Sequence, residues 1–131
     1  MSYLQEQIII ENYAKVNIPG IAFEFDNVAL DTSNLDEWIR LTILSGDSSL
    51  IGLGGGSTKC YRIVGVASFQ IFVKQNIGSK RALELADQVV GLFRTSVDSV
   101  KFISPAVRRI GMRDGWYQVN ADCPFYRDDT V

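Results

Sequence analysis

Residues 60–74, CYRIVGVASFQIFVK, followed by Gln75-Asn76-Ile77-Gly78 and then residues 79–95, SKRALELADQVVGLFRT, decide how this chain folds. In the first segment Tyr61, Ile63, Gly65, Ala67, Phe69, Ile71 and Val73 alternate with a second set that includes Arg62, Ser68, Gln70 and Lys74. A period of two, with one dry face and one mixed face, predicts a half-buried strand. From Tyr61 to Val73 it would extend roughly 43 Å at about 3.3 Å per residue, so it is expected to project beyond its own core. The second segment changes to a helical period. Ser79 stands where a cap belongs, Ala82, Leu85, Ala86, Val89 and Phe93 share one face, and Lys80, Glu84, Asp87, Gln88 and Arg94 face water.

Upstream, residues 2–16 read as a short helix capped by Ser2 and stopped by Asn17-Ile18-Pro19-Gly20, although Ile8-Ile9-Ile10 interrupts its amphipathic pattern. Residues 21–34 are extended and turn-bearing. Glu37 to Ser45 alternates as a second strand, and Gly46 to Lys59, GDSSLIGLGGGSTK, is too rich in glycine for regular structure and too short for a crossover helix. The two strands are therefore expected to form an antiparallel hairpin with a long mobile tip. Downstream, Val97 to Ile103 is a loop with a short strand, and residues 106–123 form a second hairpin turning at Asp114-Gly115. Pro124 is expected to end that strand and Arg127 to Val131 to be a loose tail. The fold class is α+β: a single domain over residues 1–131, mostly antiparallel, with a long projecting hairpin and two helices packed on one face.

The chain has 131 residues, 47% of them apolar, enough for one core without metal or disulfides. No apolar run approaches a membrane span and the start lacks a signal-peptide pattern, so a soluble cytoplasmic protein is expected. Cys60 and Cys123 lack metal-ligand spacing and read as small strand residues. The net charge of −2 conceals a segregation: residues 1–58 hold two basic against eight acidic residues, and residues 59–113 hold ten against three. Charge divided in this way fits an oppositely charged partner, or copies of the chain docking head to tail.

The glycine run from Gly52 to Lys59 invites comparison with a phosphate loop, but Ser57 stands where a glycine is needed, the lysine follows the hydroxyl residues, and a strand comes next. A flexible tip is the better reading. The chain has no histidine, which removes the commonest general base and most zinc chemistry. Arg108, Arg109 and Arg113 neighbour Trp116 and Tyr117, a mixture that suits a nucleic-acid backbone, but a pI near 5 favours edge protection or a protein interface.

The residues Ile21 to Val28, Trp38-Ile39-Arg40-Leu41, Gly52, Tyr61 to Val66, Gly78, Ala86-Asp87, Phe93, Gly115 to Val119 and Pro124-Phe125 together resemble the tail terminator (tail completion) proteins of long-tailed bacteriophages. The likeness runs from about Ile21 to Phe125 and is carried by order and spacing. It departs from the pattern at Phe25-Asp26, where an Asn often follows the Glu directly. The resemblance implies a structural virion protein of the neck region rather than an enzyme, assembled in the host cytoplasm, with no cofactor, metal or membrane. It implies a homo-oligomeric ring, typically a hexamer, that caps the tail tube at its head end, stops polymerisation and joins the head. Its partners would be the major tail tube protein and a head completion or connector protein, with DNA only passing through the lumen. A head-side connector or a tube subunit of related fold is the nearest alternative; a small nucleotide-binding enzyme using Gly52 to Ser57 is the alternative of a different class. The residues expected at the oligomer or tube interface are Gly52, Gly54, Gly55, Gly56, Ser57, Lys59, Arg62, Lys74, Arg108, Arg109 and Arg113.

Overall fold

Ser2 has the side chain that a helix start requires, and in the computed structural model, which describes residues 2–53, 59–76 and 78–130, it caps one. The Ser2 hydroxyl accepts the Gln5 backbone N–H at 3.1 Å and the Gln5 carboxamide accepts the Ser2 N–H at 2.9 Å. This reciprocal capping box starts α1, Tyr3–Asn17. The three isoleucines point different ways: Ile10 is buried, Ile9 half-buried and Ile8 exposed. Downstream come β1 (Ala22–Glu24), β2 (Glu37–Leu53), β3 (Lys59–Lys74), α2 (Lys80–Leu92), β4 (Ser96–Val97), β5 (Val100–Phe102), β6 (Ala106–Arg113) and β7 (Trp116–Thr130).

All strands join one sheet in the order β1-β2-β3-β7-β5-β4, with β6 also on β7. Only β1–β2 is parallel. Register turns the alternation of the sequence into rows: Ile39, Ile71 and Val119 lie side by side, as do Leu41, Phe69 and Ala121. Both helices cover this face. Ala82, Leu85, Ala86 and Val89 of α2 are buried, and Phe93 meets Tyr13 of α1, Phe69 of β3 and Phe102 of β5 at centroid distances of 5.4, 5.0 and 4.8 Å. Burying each such large apolar side chain contributes about 1.5–3 kcal/mol. Ser79 occupies the cap position of α2 but makes no side-chain cap bond. Asp114 (φ 50°) and Gly115 (φ 84°) form the expected tight turn between β6 and β7.

Two expectations are corrected. β2 runs on to Leu53 and β3 begins at Lys59, so residues 46–53 and Lys59 are strand rather than loop; residues 54–58 lie outside the described residues. Register shifts between Ser45 and Ser48 and between Leu50 and Gly52 absorb the residues that break the alternation. β7 also accompanies β3 to its first turn, Cys60 facing Thr130, so three strands rather than two reach that end.

The second correction is larger. Pro124 lies inside β7, and residues 127–130 are strand, not tail. Ile103 N–H donates to the Pro124 carbonyl at 2.8 Å, so the backbone groups of Pro124 face the β5 side, where the chain passes from β5 to β6. The missing N–H therefore interrupts no bond to β3. Arg127 is 1% exposed and its Nε donates to Glu6 Oε1 of α1 at 2.7 Å. Its Nη1 donates to Asp129, and its guanidinium lies 4.9 Å from the centroid of the Tyr3 ring. Burial alone would make this guanidinium easier to deprotonate, but the bonds to Asp129 and Glu6 outweigh it and raise its pKa.

Gly65 is fixed by sterics, since a Cβ there would lie 2.7 Å from Phe125 Cζ and 2.9 Å from the Leu44 carbonyl oxygen. Gly91, on the outside of α2, has nothing within 4 Å. The two glycine-to-alanine substitutions should move stability in opposite directions in urea unfolding: Gly65→Ala down by about 1–3 kcal/mol, Gly91→Ala up by about 0.5–1 kcal/mol.

Glu6→Gln removes one carboxylate from a buried cation and should cost about 3 kcal/mol in the same measurement. Burial alone would raise the Asp129 carboxyl, but the Arg127 bond outweighs it and holds it below the usual 3.8; Asp128 is held low by its bond from Arg62. Carboxylates held low in the folded state stabilise it above the unfolded value and lose that contribution as pH falls through the folded one. Melting temperature should thus be flat from neutral pH to about 5 and fall below about pH 4.

Cys123 is buried, and burial, then the neighbouring Asp122 charge, pushes its thiol up to about 12; Cys60 is half-buried. A thiol reagent should titrate one cysteine in the native protein at neutral pH and both after denaturation.

Candidate assembly surfaces

The face of the sheet away from the helices carries the even-numbered side chains of β3 and β7, and those of β2 as far as Leu44, before its register shift. Trp38 stacks on Phe72 at 4.2 Å, and Trp116 meets Trp38 edge-on at 6.0 Å. Next to this pair the row Arg40, Gln70, Asn120 and Arg108 crosses β2, β3, β7 and β6. Arg40 Nε donates to Glu24 of β1 at 2.6 Å and Arg108 Nε lies 3.5 Å from Asp122. Farther out, Leu44, Val66 and Pro124 make an apolar row.

The basic residues singled out from the sequence do not form one cluster. Lys59 and Arg62 share one end of β3 with Gly52, which pairs with Cys60. Arg62 is bound bidentately by Asp128 at 2.9 and 3.1 Å and lies over the Tyr126 ring. Lys74 is at the opposite end, 3.8 Å from Asp36 and in register with Trp116, which faces Arg113. Arg108 and Arg109 lie between these ends on β6. Arg109 and Arg113 form no ion pair among the described residues. Gly54, Gly55, Gly56 and Ser57 fall outside the described residues.

The structure adds surfaces that sequence reading missed. β1 covers β2 only at Trp38, Ile39 and Arg40, and the Asp26 carboxylate accepts the Ile43 N–H at 3.4 Å. Beyond Ile43 the outer edge of β2 has no strand partner among the described residues, and Leu44, Leu50 and Ile51 are exposed on it. β6 is the other border: it pairs only with β7, and Val107, Ile110 and Met112 are exposed. The alternation of β2 as far as Ser45 was legible, but its continuation through the glycines depends on pairing with β3.

Hollows among the described residues are open grooves. One of about 390 Å³ lies between Trp38, Arg40, Phe72, Arg113 and Trp116, and one of about 590 Å³ runs along Ile8, Tyr13, Val16 and Val97. Neither groove lining includes a cysteine, and the chain has no histidine. No group of His, Cys, Asp and Glu able to hold a metal ion occurs among the described residues.

A solved structure superposes on this chain with a TM-score of 0.70, covering 98% of this chain and 96% of its own, at 16% identity. At that identity the likeness shows the fold alone. No curated protein sequence matches. A family model described as phage tail terminator protein matches residues 3–110, from the first turn of α1 into β6. With most of the chain inside that match, this protein belongs to the phage tail terminator family and is a structural component of the phage tail.

Proposed function

We propose that the protein forms a homo-oligomeric ring, a hexamer by family resemblance, that caps the head-proximal end of the tail tube. The ring stops addition of the major tail tube protein, presents a new surface to a head completion or connector protein in the neck, and carries out no catalysis. Assembly takes place in the host cytoplasm, and DNA passes through the bore.

The observation that carries this reading is the pair of unpaired sheet borders with opposite charge. A free strand edge is a template for another strand. Asp26 and Asp47 lie along the β2 border and form no ion pair among the described residues, while Arg109 and Arg113 stand free along β6. β2 and β6 also run in opposite directions, because each neighbouring pair in β2-β3-β7-β6 is antiparallel. Rotation about an axis parallel to the strands would bring β6 of one copy against β2 of the next in antiparallel alignment. Contacts of this head-to-tail kind close into a ring when the rotation divides a full turn.

Arg109→Glu and Arg113→Glu should each weaken ring formation about tenfold in light scattering and make it less dependent on salt, because a like charge then faces the acidic border. Ring assembly unchanged in both variants would exclude this border. Added to elongating tails, the protein should arrest them at fixed length, whereas a tube subunit would be incorporated and lengthen them.

A further inference from the structure

We propose that in the ring the groove between Trp38 and Trp116 is filled by the turn Asp26-Asn27-Val28-Ala29 of the neighbouring copy, with the partner subunit's Asp26 against Arg113. The inference rests on the ring reading above and names the segments that its two borders bring together.

The groove has firm walls and unused donors. Trp38 and Phe72 are only 4% and 8% exposed although they lie on the open face, and the Arg40 guanidinium sits 5.3 and 5.4 Å from their ring centroids. Arg40 is already committed, through Nε to Glu24 at 2.6 Å and through Nη1 to Gln70 Oε1 at 3.3 Å. Two other donors of the lining are not. Arg113 forms no ion pair among the described residues, not even with Asp114 beside it, and Trp38 Nε1 is shut off from water with no acceptor among them. A buried indole N–H ordinarily has a partner. Aromatic walls with converging unused donors suit an occupant that brings an apolar side chain, a carboxylate and carbonyl oxygens.

The turn that follows β1 brings all three. Val28 N–H donates to the Phe25 carbonyl at 3.2 Å and Asn27 has φ 61°, so the chain reverses there. Asp26, Asn27, Val28 and Ala29 are all exposed, Val28 by 62%, and Asp26 forms no ion pair among the described residues. Strand direction brings this turn to the groove. β6 runs opposite to β2, so in antiparallel pairing its last residue, Arg113, comes opposite the start of the β2 stretch it joins. The free edge of β2 starts beyond Ile43, and the Ile43 N–H is the one that the Asp26 carboxylate accepts. Edge pairing between copies therefore carries Arg113, and the groove behind it, to the partner subunit's Asp26 and the partner subunit's Val28. Opposite charge sets the register and the valine excludes water from the Trp116 ring. Carbonyl groups of the turn supply acceptors for the Trp38 N–H as the side chains around it adjust.

A double-mutant cycle in the whole protein tests the contact. Asp26→Lys and Arg113→Glu should each raise the concentration for half-assembly in light scattering about tenfold, and together return it to within about threefold of the unaltered protein. Asp47→Lys combined with Arg113→Glu should show no such recovery. Trp38 and Trp116 are the only tryptophans, so acrylamide quenching reads the groove directly and should fall about twofold when the unaltered protein assembles. Additive losses in the first pair, equal recovery with Asp47→Lys, or quenching unchanged on assembly would each overturn the proposal, and if rings still form the ring reading stands. Recovery in open chains that never close keeps the contact and rejects the ring, and a protein monomeric at every concentration rejects both. If Asp26→Lys does not melt cooperatively, Val28→Lys, at an exposed side chain, takes its place in the cycle with the same recovery expected.

Discussion

From Cys60–Thr130 to Lys74–Trp116, β3 and β7 are paired without a single register shift, whereas β2–β3 contains two shifts and β6–β7 one. Because side chains alternate with period two, a slip of β7 by one residue against β3 would send Val119 to water and Asn120 into the core. The aromatic contacts around Phe93, the row from Arg40 to Arg108 and the position of both free borders all follow from this register. Gly65 belongs to it as well, since the Phe125 ring occupies the space a side chain would need.

Much of this was legible in the sequence because it is local. The alternation of residues 61–73 and the helical period of residues 82–93 state which side of each element is dry, and the Asp114-Gly115 turn states its own geometry. What could not be read was set by contacts distant in sequence. Residues 46–53 look like loop because glycine and serine have no strand preference, yet β3 supplies backbone partners that override it. Arg127 looks like part of a polar tail until α1 places Glu6 opposite it, 121 residues away. Arg108, Arg109 and Arg113 share one strand, β6. Arg62 and Lys74, read from the sequence as basic residues at the ends of the long strand, stand at opposite ends of β3, and the aspartates that engage them could not be read locally.

The surfaces divide by chemistry. One sheet face is closed by the helices, and the borders offer unpaired backbone with charge of opposite sign. The remaining face carries the Trp38, Phe72 and Trp116 cluster, the polar row from Arg40 to Arg108, and the apolar row of Leu44, Val66 and Pro124. A domain arranged in this way has unpaired strand edges at its sides, and the same sheet supplies both the edges and the face between them.

The clasp between Glu6 and Arg127 also bears on the order of events during synthesis. Arg127 leaves the ribosome 121 residues after Glu6, so α1 can dock on its charged partner only once β7 has been made. Contacts with so long a sequence separation form late and slowly. A chain truncated before β7 would have neither the strand that aligns β3 nor the cation that receives Glu6. Molecules that lack β7 are therefore left without the closed core on which the two borders depend.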